Sequence, residues 1–253
     1  MDFPAMHPPV EETPSQSDAS TNPVPVVSEE AGVLTLHFQS DYVQSQMLLD
    51  DPDCLTLSYS RAMMAFELFK PVPRQIVMIG LGGGSLAKWC YRHHPNTQLT
   101  VVEINPHVIA LRDRFRIPPD DHRFRIVCQD GTAFVAKIPS EVDVMLVDGF
   151  GVDRVPPELC TQRFYDDCCQ ALTRSGLMVV NVCGEEQQEI LARIRRSFGG
   201  KVLLSPDHDG NTVVFASKGE LLWPKGESPG SFQMKFRKFE NKYGLGQAMK
   251  PVG

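Results

Sequence analysis

The chain has 253 residues, 42% of them apolar, enough for one large α/β domain with a small appendage. A formal charge of −6 and an isoelectric point near 5.6 give no electrostatic reason to expect a nucleic-acid partner. The bases around Lys235, Arg237 and Lys238 read as a solvated helix face or a contact site. No apolar run approaches bilayer-spanning length, and the N-terminus lacks a basic region followed by an apolar one. A cytoplasmic chain with no membrane partner is expected. The seven cysteines form no CxxC pair, which favours reduced thiols packed as small hydrophobes over a zinc site or a disulfide framework.

Residues 1–30 are rich in Pro, Ser, Glu and Thr, and are expected to be a disordered tail. Residues 31–73 predict a small β-hairpin and a helix. Leu34–Phe38 alternates as a strand, Val43–Leu49 is its expected partner, and Asp50–Asp53 is assigned the turn. Ala62, Met63, Ala65, Phe66 and Phe69 recur at helical spacing until Pro71 and Pro73 stop the run.

Residues 74–218 alternate between strand and helix. The predicted strands are Ile76–Leu81, Leu99–Ile104, Phe124–Cys128, Val142–Val147 and Gly176–Val182. The predicted helices are Ser85–His94, Pro106–Phe115, Gly131–Ile138, Pro157–Leu172 and Glu185–Phe198. Lys201–Ser205 and Thr212–Ala216 then flank a turn, so the sheet should close with an antiparallel hairpin. Residues 219–253 predict a loop and a helix over Phe232–Tyr243, ended by Gly244. The α/β pattern is that of a Rossmann-like, S-adenosylmethionine-dependent methyltransferase-type sheet, mostly parallel, preceded by a small β-region.

Ligands of such sheets sit at the carboxyl ends of the strands. Four features fall there. Gly80, Gly82 and Gly84 form a glycine loop after the first strand, which lets a ligand approach the backbone or serves tight packing. Glu103 follows the second strand at the interval suited to ribose hydroxyls, although a lone acid there also fits a helix cap. Asp130-Gly131 follows the third strand, as an adenine contact or as a helix N-cap. Asp148 follows the fourth strand, as a reactive-centre acid or a loop aspartate. Asp153 and Glu158 add acidity that would attract a cationic amine, or are ordinary loop charges. The histidines show no metal-ligand spacing, and no metal is expected.

Together these residues resemble the spermidine synthase family of polyamine aminopropyltransferases over roughly residues 34–217. The matching features are Tyr59, Gly80–Gly84, Glu103, Asp130-Gly131, and Asp148 with Pro156-Pro157-Glu158. The resemblance implies transfer of an aminopropyl group from decarboxylated S-adenosylmethionine to an amine such as putrescine, releasing methylthioadenosine. It implies that Asp148 helps deprotonate the attacking amine. Gly80, Gly82, Gly84, Glu103, Asp130, Gly131 and Gln44 would bind the cofactor, and Tyr59 and Asp153 the amine. It also implies a homodimer. Three departures stand out. The family's glycine loop carries an aspartate for the cofactor's amino group where this chain has Gly82. The segment after Tyr59 reads Ser60-Arg61-Ala62-Met63-Met64, and the family's tyrosine- and glycine-rich segment after strand five has no clear counterpart. Without the loop carboxylate, repulsion of intact S-adenosylmethionine is lost. A methyltransferase and a non-catalytic nucleoside-binding homologue are therefore the alternatives.

Overall fold

The computed structural model describes residues 22–38, 43–151, 154–207, 210–220 and 229–243. Its centre is a seven-stranded sheet. The strands are β4 (Gln75–Ile79), β5 (Gln98–Glu103), β6 (Phe124–Cys128), β7 (Val142–Val147), β8 (Leu172–Val182), β9 (Val202–Pro206) and β10 (Thr212–Ser217). They lie in the order β6-β5-β4-β7-β8-β10-β9. The first five are parallel, and β10 runs antiparallel to both β8 and β9. Chain direction across the sheet reverses between β4 and β7, which opens a crevice at their carboxyl ends.

The apolar runs of the strands follow from burial on both faces. Alternate residues feed two cores. Ile76, Met78, Val101, Val144, Leu146, Leu177 and Val179 face α1 (Ser58–Met64) and α2 (Ser85–His93). Val77, Ile79, Val102, Met145, Val147, Met178 and Val180 face α4 (Gly131–Val135), α5 (Gln162–Ala171) and α6 (Gln187–Ser197). Helix α3 (Pro106–Ile109) follows β5, and α7 (Pro229–Tyr243) sets Phe239 against Trp89 on the α1 side.

The N-terminal region differs from the expected two-stranded hairpin. It is a three-stranded antiparallel sheet of β1 (Val26–Glu30), β2 (Val33–His37) and β3 (Val43–Leu48). Strand β1 lies inside the stretch expected to be a disordered tail; residues 1–21 of that stretch lie outside the described residues. Composition misleads here because β1 buries little side-chain surface and is held by backbone pairing to β2. Ala31 and Gly32, both at positive φ (50° and 78°), make the two-residue turn between them. The expected turn Asp50–Asp53 forms, with the Cys54 N–H donating to the Asp51 carbonyl at 3.1 Å. It follows β3 and leads toward α1.

Three helices are also shorter than expected, α4 among them, which ends at Val135 and not at Ile138. Helix α3 stops at Ile109, and the chain continues as turns through Arg116, which has φ 54°. The expected helix from Pro157 is a 3-10 turn, Pro157–Cys160, followed by α5. The Thr161 hydroxyl caps α5 by accepting from the Phe164 N–H at 3.1 Å.

Candidate active site

Three loops stand side by side at the carboxyl end of the sheet because its ladder runs one residue past the strands. The Gly80 N–H donates to the Val102 carbonyl at 2.9 Å, the Asp148 N–H to Ile79 at 2.9 Å, and the Gln129 N–H to Glu103 at 3.0 Å. These bonds bring the segments carrying Gly80–Gly84, Glu103, Asp130 and Asp148 to one edge.

Gly80 is where the first loop meets the last. Its φ is +96°, and a Cβ there would stand 2.2 Å from the Asp148 carbonyl oxygen. No other residue fits without moving the Asp148 backbone. Gly82 is different. Its φ is +52°, but a Cβ would meet only Ser45, at 3.7 Å. Asp and Asn tolerate this left-handed backbone better than most side chains. The lack of a carboxylate at Gly82 is thus a difference of chemistry, with space left for a side chain. Gly84 precedes α2 and donates its N–H to the Leu81 carbonyl at 2.8 Å.

Glu103 is 9% exposed. One carboxylate oxygen accepts the Leu81 N–H and the other the Asn105 N–H, each at 2.9 Å. Burial pushes its pKa up, and the N–H groups of Asn105, Leu81, Ile104 and Gly82 pull it back. The acid therefore clamps the glycine loop to the turn after β5. Each oxygen keeps lone-pair capacity for a further donor.

Asp130 caps α4. Its Oδ1 accepts the Ala133 N–H at 2.8 Å and the Thr132 hydroxyl. Its Oδ2 takes no hydrogen bond among the described residues. Gly131 lies against β4, where a Cβ would approach the Ile79 side chain to 2.6 Å.

Asp148 sits deep among protein atoms yet keeps a partial opening to solvent. Burial raises its carboxyl to about 6, against the Asn181 amide and the Tyr59 phenol, which both favour the ionised form. The Asn181 Nδ2 donates to Asp148 Oδ1 at 3.1 Å. The Tyr59 phenol, carried by α1, is held well above its ordinary range by burial and then by the Asp148 charge. Cys183, just past β8, remains a thiol. Its pKa rises to about 11 through burial, followed by Asp148, Asp207 and Glu186.

Gln44 lies on β3 and reaches across to the loop after β7, donating to the Gly151 carbonyl at 3.3 Å. Asp153 lies outside the described residues, and Glu158 is exposed on the 3-10 turn. The sheet edge thus brings Tyr59 and Asp148 together and lines up the glycine loop, Glu103 and Asp130. Asn181 and Cys183 join Asp148 although sequence reasoning missed both. The available signal was a lone amide in the otherwise apolar run Leu177–Val182, at a strand end. Among the described residues, no group of three His, Cys, Asp or Glu side chains is placed to hold a metal ion.

The spermine/spermidine synthase domain model matches residues 56–202. A polyamine aminopropyltransferase from Neisseria meningitidis is 39% identical over 224 residues, covering 87% of this chain and 84% of that protein. A probable spermidine synthase from Corynebacterium glutamicum shares the fold with a TM-score of 0.67 at 18% identity, covering 84% of this chain and 82% of the other. A spermidine synthase in complex with the transition-state analogue AdoDATO superposes with a TM-score of 0.61 at 18% identity, over 88% and 89% of the two chains. Human methyltransferase-like protein 13 in complex with SAH also superposes at 0.61, with 21% identity over 78% and 95%. With the domain model spanning more than half of its length and this close a relative, the chain belongs to the spermine/spermidine synthase family.

Proposed function

We propose that this chain is a polyamine aminopropyltransferase that moves the aminopropyl group of decarboxylated S-adenosylmethionine to an amine such as putrescine. The observation that carries the reading is Asp148, a carboxyl raised to about 6 beside Tyr59 and Asn181, one loop away from the glycine loop and Glu103. An amine with a pKa near ~10 is mostly protonated at neutral pH and must attack as its free base. The nitrogen lone pair forms the new N–C bond while the C–S bond breaks with its electron pair passing to sulfur. The sulfonium leaves as neutral methylthioadenosine, and one proton of the nitrogen passes to the Asp148 carboxylate. A base poised near 6 is ionised at pH 7 yet basic enough to take that proton.

Glu103 accepts from the ribose hydroxyls and Asp130 Oδ2 from the adenine amine. Gly82 leaves open space beside the nucleoside, while Gly80, Gly84 and Gly131 let the surrounding segments pack closely enough to form its seat. Tyr59 borders the amine, Gln44 holds the β7 loop over the site, and Asp153 adds negative charge at its mouth. No metal is required by this chemistry. The expected assembly is a cytoplasmic homodimer, which light scattering on the purified chain tests for its oligomeric part. Incubation with decarboxylated S-adenosylmethionine and putrescine should yield methylthioadenosine and spermidine in equal amounts; absence of both products would sink the reading.

Gly82 favours one second reading, a methyltransferase using intact S-adenosylmethionine, because no loop carboxylate repels that cofactor's own. Calorimetry with both cofactor forms separates the two. Tighter binding of the decarboxylated form supports aminopropyl transfer, and tighter binding of the intact form supports methyl transfer.

A further inference from the structure

We propose that Asn181 makes the site selective for primary over secondary amines. Its Nδ2 orients Asp148, and its Oδ1 accepts the second N–H of the attacking nitrogen. The proposal rests on the aminopropyl-transfer reading of the site.

Asn181 lies near the end of β8, opposite Val213 of β10. Strand alternation puts it on the face of Leu177 and Val179, where α1 brings Tyr59. It is 5% exposed. Its Oδ1 is buried and has no hydrogen-bond partner among the described residues. An unpaired buried carbonyl is rare, because the desolvation of the acceptor is not offset. An apolar side chain, as at the neighbouring positions, would avoid that cost.

The amide cannot relieve itself by turning over, since its oxygen would then face an oxygen of Asp148. The carboxylate therefore sets the orientation of the amide. Oxygen and nitrogen of a carboxamide share one carbon, so the orphan acceptor stands next to the bond to Asp148. In the proposed seat the attacking nitrogen touches both. Tyr59 does not compete as an acceptor, because its phenol favours the ionised form of Asp148, and a Cys183 thiol accepts only weakly.

A free primary amine brings one lone pair and two N–H groups. The lone pair goes to the carbon beside the sulfonium, one proton goes to Asp148, and the remaining N–H pairs with Asn181 Oδ1 and stays on the product nitrogen. A secondary amine has one N–H, which Asp148 takes, so Oδ1 stays unpaired.

The test compares putrescine with N,N′-dimethylputrescine, each with decarboxylated S-adenosylmethionine, in the wild-type chain and in Asn181→Leu. Asn181→Ser serves where the leucine variant does not fold, and methylthioadenosine affinity reports an intact nucleoside site. The expected result is that the primary-to-secondary ratio of kcat/KM falls by about 10-fold on losing the hydrogen bond. The acid limb of kcat/KM for putrescine moves to higher pH, because Asp148 loses a donor that lowers its pKa. Equal losses on both amines with an unmoved acid limb would overturn the proposal and leave aminopropyl transfer standing. Failure of the wild-type chain to transfer the group to either amine would overturn the functional reading itself.

Discussion

Glu103 and Asp148 are both acids at the carboxyl end of one sheet, and burial raises the pKa of each. They differ in what holds them. Glu103 is pinned by backbone N–H groups from two loops, Leu81 and Asn105. Among the described residues, the Asp148 carboxyl is held by side chains, the Asn181 amide and the Tyr59 phenol, which come from separate elements. The proposed nucleoside half of the site is thus pinned by backbone that the fold supplies, and the proposed reactive half by side chains that substitution can change. Chemistry can drift in the second half while the first stays put.

The sharpest way to break this contrast is Asp148→Asn. Turnover with decarboxylated S-adenosylmethionine and putrescine should fall on the order of 10²–10⁴-fold, the usual worth of a general base. Methylthioadenosine affinity should be unchanged by calorimetry. A variant that keeps its rate removes Asp148 as the base. In the wild-type chain, kcat/KM should fall as pH drops through about 6, where Asp148 gains its proton, and this limb should vanish in the variant.

Glu103→Ala tests the other half. Loss of a charged partner to the ribose should weaken methylthioadenosine by about 1.5–3 kcal/mol. Unchanged affinity would undo the ribose assignment.

Asp148→Asn should also stabilise the fold. The folded-state pKa of about 6 lies above the ordinary 3.8, so the folded chain keeps a proton that the unfolded chain has lost between those values. This contribution to stability is lost as pH rises through that window, and the cost persists above it. At pH 7.5 the variant should gain on the order of 1–2 kcal/mol, discounted for partial exposure, and the gain should disappear below pH 4. Denaturant midpoints at the two pH values measure it.

The smallest expected effect comes from Gly82→Asp, for which the loop has room. A carboxylate near the cofactor's variable end should favour the decarboxylated over the intact form by about 1 kcal/mol through charge. Competition between the two cofactors reads this directly.

The sheet was legible in the sequence because period-2 and continuous apolar patterns are local consequences of burial. Phe124–Cys128 and Val142–Val147 coincide with β6 and β7 to the residue. Strand β1 was not legible, since it is held by backbone bonds to β2, and composition does not register them. The turn at Asp50–Asp53 was legible because its Asp and Pro residues favour a bend locally. The places of Glu103 at the end of a strand, and of Asp130 and Asp148 just after strands, could be read from the sequence. Asn181 and Cys183 could not, although Asn181 broke an apolar run.

The sequence by itself determined the alternation of strand and helix, the terminal hairpin and the loops that carry acids, all set by neighbours along the chain. Only the tertiary structure decided what surrounds each acid. Gly80 is required by the Asp148 carbonyl 68 residues away, Glu103 is clamped by Leu81, and Asp148 stands beside Tyr59 and an Asn181 carbonyl unpaired among the described residues. Burial and hydrogen bonding between distant segments set the protonation of these groups, and sequence distance does not encode either quantity.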